Sequence, residues 1–153
     1  MFGDNSSSEN HKVAALSTSL KEKLEKIQII LSKLSDDSTK GNPVIVEGKK
    51  DEQALRELGI CGVVLTVKTG GKSFLEATTE IENLSVKEVV LLLDFDRRGK
   101  EGTMRLKHDL ERAKIKVNTR FWGELEAIVG RDIRCIESLP SYLSTLEQKA
   151  AKI

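Results

Sequence analysis

Val89-Val90-Leu91-Leu92-Leu93-Asp94-Phe95-Asp96 is the stretch that decides the fold. An unbroken aliphatic run, with no polar alternation, marks a strand covered on both faces, as in a parallel sheet sandwiched by helices. It ends in two carboxylates two positions apart, which an extended chain aims to the same side. Upstream, Val44-Ile45-Val46 is a second aliphatic run that ends likewise in acid, at Glu47-Gly48. Between the two lie a helical pattern over residues 50–58 (KDEQALREL) closed by Gly59, a strand at 63–67 and the turn Thr69-Gly70-Gly71. A helix over 73–83 follows, with Ser73 and Glu76 in capping-box spacing. Downstream we expect a helix over 102–113, a strand over 115–119, a helix over 122–129 and a last helix opened by Ser138-Leu139-Pro140. Repeated βα units with short connections predict an α/β fold: a central parallel sheet with helices on both faces.

In such a sheet ligands gather beyond the carboxyl ends of the strands. Glu47, Asp94 and Asp96 are therefore expected at one rim. Crowded carboxylates repel, and a hard divalent cation such as Mg²⁺ offsets that repulsion while keeping waters for substrate phosphates. Gly48 and Gly99 read as turn residues that let the chain bend beside these acids. Lys49, Lys50, Arg97, Arg98 and Lys100 form a local basic rim, suited to phosphate oxygens. Of these, Lys49, Arg97, Arg98 and Lys100 are the candidate phosphate contacts, although charge on a loop is often only a solvated surface. Lys72 is a more speculative one. Solvated acids that merely end strands are the plain alternative for the carboxylates, and strand context favours the metal site.

Val44-Ile45-Val46-Glu47-Gly48-Lys49-Lys50-Asp51, taken with Leu93-Asp94-Phe95-Asp96-Arg97-Arg98-Gly99, resembles the Toprim family over most of residues 43–120. That domain is shared by bacterial-type primases, type IA and type II topoisomerases and some nucleases. The first segment is especially similar to the ribonuclease that matures 5S ribosomal RNA and to stand-alone small Toprim proteins. The resemblance implies a Toprim (Rossmann-like) sheet, Glu47 as general acid or base, and Asp94 and Asp96, with Glu47, as metal ligands for Mg²⁺ or Mn²⁺. It also implies RNA or DNA as partner. Topoisomerase members often carry a third acid two residues after the pair, where this chain has Arg98. Topoisomerases also need a tyrosine nucleophile from another domain, and the single tyrosine here is Tyr142. A primase needs further modules for template and nucleotides.

The 153 residues carry a formal net charge of +1, so nucleic-acid contact must come from a local patch rather than overall attraction. Cys61 and Cys135 form no CxxC pair, which argues against zinc. No apolar run approaches the roughly 20 residues that cross a bilayer, and the first residues lack a secretion pattern, so the expected location is cytoplasmic, with no membrane partner. Residues 1–11 are polar and expected to be disordered. From Lys12 to about Ser35, Val13, Leu20, Ile27 and Leu34 recur every seven residues, with Leu24 and Leu31 between them. This amphipathic helix either packs on its own domain, the favoured reading, or serves a homodimer or protein partner through residues 12–35. Residues 36–43 read as a linker, so we divide the chain into 1–41 (disordered start, helix and linker) and a Toprim domain at 42–153. His11, His108 and Trp122 read as surface or packing residues.

Two functions remain in view. One is a Mg²⁺-dependent nuclease or related phosphoryl-transfer enzyme; the other is a non-catalytic module that binds nucleic acid or protein for a larger processing complex. A receiver-like phosphoacceptor fits less well, because paired acids usually end the first strand of that fold.

Overall fold

The computed structural model describes residues 3–68 and 73–152, with side chains from Thr18 onward. The elements are α1 (Gly3–Thr39), β1 (Val44–Val46), α2 (Lys49–Glu57), β2 (Val64–Thr66), α3 (Phe74–Asn83) and β3 (Glu88–Leu91). There follow α4 (Arg97–Arg112), β4 (Lys116–Asn118), α5 (Arg120–Val129), a 3₁₀ turn (Ile136–Ser138) and α6 (Leu139–Ala151). The four strands form one parallel sheet in the order β2-β1-β3-β4. This is the α/β architecture expected, with helices on both faces.

Side-chain alternation along the short strands divides the core in two. Val44, Val46, Val90 and Leu92 face the layer built by α1, α2, α5 and α6. Ile45, Val89, Leu91 and Leu93 face the other layer, which holds Ala77 and Ile81 of α3 and Leu106 and Leu110 of α4. Both strands are thus buried on two sides, which is why their sequences carry no polar alternation. The chain leaves β1 toward β2 on one side and returns to β3 on the other. The strand order therefore reverses between β1 and β3, and the crevice at their carboxyl ends is where this architecture places ligands.

The capping box of α3 forms as the spacing predicts: the Ser73 hydroxyl accepts from the Glu76 amide at 3.2 Å, and the Glu76 carboxylate accepts from the Ser73 amide at 3.2 Å. Two expectations need correction. First, α4 begins at Arg97 rather than near Gly102, because Asp96 caps it by accepting from the Gly99 amide at 2.7 Å. Second, α1 starts at Gly3, before the expected Lys12, and runs through 36–39, which had read as linker. Adding residues to a helix already nucleated costs little, so polar flanks can continue it. At its far end Ser38 is buried, and its hydroxyl accepts from the Gly62 amide at 2.9 Å, fixing the last turn to the sheet domain.

The seven-residue stripe of α1 is spent inside the molecule. Ile27, Ile30, Leu31 and Leu34 are buried in the first core layer, with Leu20 and Leu24 packed against it. From Leu20 onward this seam lies on α5 and α6; the Val13 side chain lies outside the described residues. Among the described residues no helix is long and apolar enough to cross a membrane.

Candidate metal centre

Glu47 is the residue after β1, and Asp94 and Asp96 follow β3, so adjacent parallel strands deliver all three to the switch-point crevice. Their carboxylate oxygens lie within 4.8 Å of one another. Glu47 is 7% exposed, which is deep for a glutamate. One of its oxygens pairs with Lys68 Nζ at 2.5 Å, and the other faces the Asp94 amide at 3.4 Å. Asp94 Oδ1 is buried and has no hydrogen-bond partner. Asp96 gives one oxygen to its cap on Gly99, leaving the second free of that duty.

The packing behind the acids is tight. A Cβ on Gly99 would collide with the backbone carbonyl of Asp94, so only glycine lets the first turn of α4 lie against the end of β3. Close approach, not a turn, is the reason for this residue. Gly48, by contrast, sits in the bend at residues 47–48 with an extended backbone (φ −146°), and a Cβ there would meet nothing closer than Asp51 Oδ2 at 4.0 Å, so the bend expected there forms without requiring glycine. Trp122 Nε1 donates to the Leu93 carbonyl at 3.0 Å, and the Phe95 amide donates to the Arg134 carbonyl at 2.6 Å. These bonds fix the strand exit that carries the aspartates, and they give Trp122 a structural task.

Burial pushes the Asp94 carboxyl up to about 7, and the neighbouring charges of Glu47, Asp51 and Asp96 push the same way. A buried acceptor without a donor, in a cluster of like charge, is costly unless a cation or proton supplies the missing partner. The residues present therefore fit a hard divalent ion. A second acidic cluster, Asp51 with Cys135 and Glu137, offers a useful contrast. Asp51 is buried, but its two oxygens accept from the Gly48 amide at 3.1 Å and the Glu137 amide at 2.9 Å. Its demand for donors is met by backbone, so it is a brace between α2 and the 3₁₀ turn.

A family model described as the Toprim domain matches residues 42–119. The chain belongs to the Toprim family. Relatives include a UPF0292 protein of Methanocaldococcus jannaschii, 37% identical over 80% of this chain and 94% of that protein. Another, from Methanosarcina barkeri, is 35% identical over 84% of this chain and 88% of its own length. A solved protein from Aquifex aeolicus, 26% identical, covers 71% of this chain and 94% of its own, with a TM-score of 0.59. The specific likeness to the 5S ribosomal RNA nuclease is not what the two methanogen relatives carry; those are UPF0292 proteins. Toprim proteins as a family bind metal and process nucleic acids, and this chain carries an acidic cluster of Glu47, Asp94 and Asp96.

The basic residues around this Toprim centre are distributed less simply than their sequence positions suggested. Arg97 is nine-tenths exposed and pairs with Glu101 at 3.1 Å, while Lys100 pairs with Glu126 at 3.3 Å. Lys49 is exposed at the start of α2. Arg98 lines a cavity that also reaches Glu47. Three further residues escaped sequence reading. Lys68 follows β2, and its amide donates to the Glu47 carbonyl at 3.0 Å, which sets its side chain beside the Glu47 carboxylate. The side-chain bond to the Glu47 carboxylate raises the Lys68 ammonium above its ordinary range. Arg105 reaches the same cavity from the third turn of α4. Asp51 lies inside the quoted motif, yet its role shows only in its backbone partners. A signal for Lys68 existed in principle, since any strand next to β1 must end beside Glu47. Thr69, Gly70, Gly71 and Lys72 lie outside the described residues.

Proposed function

We propose that this Toprim protein is a Mg²⁺-dependent nuclease or related phosphoryl-transfer enzyme acting on RNA or DNA in the cytoplasm, with Mn²⁺ an alternative ion. The observation that carries the reading is the partnerless, buried Asp94 Oδ1 beside Glu47 and Asp96. Asp94 and the free oxygen of Asp96 would hold the ion, with Glu47 near enough to contribute. When bound, Mg²⁺ supplies charge neutralisation at the scissile phosphate. Glu47 is placed to move a proton at its carboxylate, as general acid or base. Lys68 pairs with that carboxylate and orients it. Arg98, with Lys49 at the start of α2, is placed to steady phosphate oxygens. Arg97 and Lys100 remain in the phosphate set only if they exchange their intramolecular acids for the substrate.

Purified protein should cleave a panel of structured RNA and DNA in Mg²⁺. Glu47→Gln should lower turnover by about 10²–10⁴ while leaving the fold intact. The 5S ribosomal RNA precursor belongs in that panel because of the motif similarity over residues 44–51. Intact substrates throughout the panel, with metal binding retained, would replace this reading by that of a binding module.

A further inference from the structure

We propose that the cavity beside Glu47 is a nucleobase subsite, which receives one unpaired base of a single strand whose phosphate lies on the acid cluster. The cavity measures about 370 Å³, within the range of ligand pockets. It is continuous with the acid centre, because Glu47 belongs to both. Its wall is apolar: Val67, buried, then Phe74 and Leu75 at the start of α3. Leu75 is 71% exposed and presents its side chain at the cavity. Its rim is cationic, formed by Lys68, Arg98 and Arg105.

Two details show that the Phe74 ring is held in place. A Cβ on Gly102 would come within 2.9 Å of Phe74 Cζ, so α4 has a gap that the ring occupies. The Arg105 guanidinium lies 5.7 Å from the ring centre, a cation–π contact that leaves its charge at the cavity mouth. An aromatic face, a flanking apolar side chain and a planar cation together suit a base, while the neighbouring arginine suits the phosphate attached to it. A paired base within a duplex cannot enter such a cavity, so the geometry selects an unpaired nucleotide. This assignment rests on the proposed function only in taking the acid cluster as the phosphate end.

Short fluorescein-labelled single strands of RNA and of DNA, and the matching blunt duplexes, test this by equilibrium anisotropy in Mg²⁺, with strand integrity checked on gels. The single strands should bind at least about tenfold more tightly than the duplexes. Phe74→Leu should weaken single-strand binding about tenfold, within the range for one stacked base. Phe74→Tyr should restore it, and Leu75→Ser should give a smaller loss. Leucine keeps the apolar contact with the core, and melting curves check that each variant is folded. Equal binding by wild type and Phe74→Leu, preference for duplex, or no measurable binding overturns the subsite. Cleavage with Phe74-independent binding removes the subsite and leaves the nuclease reading standing. Phe74-dependent binding without cleavage does the reverse.

Discussion

The turn from β1 into α2 and the turn from β3 into α4 are built alike, yet they distribute their acids differently. Each leaves a central parallel strand at the same rim, and each uses a carboxylate to hold the first turn of its helix. In the first, the tasks are divided. Glu47 faces the crevice and is matched by Lys68 and the Asp94 amide, while Asp51 braces the helix through two backbone donors. In the second, Asp96 both caps α4 and faces the crevice, and Asp94 is left with a buried oxygen that nothing answers. The first turn is complete without an ion. The second is not, so the unmet demand for a partner resides there.

That division fails most visibly if Asp51 is removed. Asp51→Ala strands two amides, each worth about 1–3 kcal/mol when a buried group loses its partner. We expect a stability loss of about 2–4 kcal/mol, a fall in Tm of roughly 5–15 °C for a chain this size. Mg²⁺ affinity of the folded variant should hardly change. A folded Asp51→Ala protein that no longer binds Mg²⁺ would mean the brace and the metal centre are one unit.

The converse substitution is Asp94→Asn. Calorimetric titration should show Mg²⁺ affinity reduced by at least the 10–100-fold that even outer partners of a metal site contribute. Its effect on the metal-free protein has the opposite sign. With the Asp94 carboxyl raised from 3.8 to about 7, the folded chain keeps a proton that the unfolded chain has released throughout that window. Metal-free stability must therefore fall as pH rises from about 4 to 7 and level off above. Asp94→Asn should flatten that slope and stabilise the metal-free protein above pH 7, by about 1 kcal/mol once partial exposure is discounted. Saturating Mg²⁺ should raise the Tm of wild type and not that of the variant. A steeper wild-type slope in the other direction, measured in EDTA, would break the account.

What could be read from sequence follows the range of the forces involved. The strands at Val44 and Val89 were legible because double-sided burial writes itself as uninterrupted aliphatic residues. The α3 cap was legible because Ser73 and Glu76 act over one helical turn. Convergence of Glu47 with Asp94 and Asp96 followed from placing both runs at parallel strand ends. The start of α4 was missed because Gly99 reads as a loop residue until the Asp94 carbonyl behind it is known. Lys68, Arg105 and the brace made by Asp51 depend on which strands and helices are neighbours. Residue spacing does not encode the order β2-β1-β3-β4. The α1 stripe was read correctly as a seam, but only packing shows that α5 and α6 fill it.

The smallest expected effect separates the two aspartates of the second turn. Asparagine caps a helix about as well as aspartate, so Asp96→Asn should keep the bond to the Gly99 amide and cost only a few tenths of a kcal/mol. Asp96→Ala loses the cap and should cost about 1 kcal/mol, a Tm shift of about 2–4 °C. Both variants remove one negative charge from the crevice, so their Mg²⁺ affinities should fall together while their stabilities differ. That fall should be smaller than for Asp94→Asn, because one Asp96 oxygen is already engaged by backbone whereas Asp94 Oδ1 has no other partner. Equal losses at the two positions would show that the aspartates share the ion evenly, and the unanswered oxygen would then no longer mark where the charge is needed.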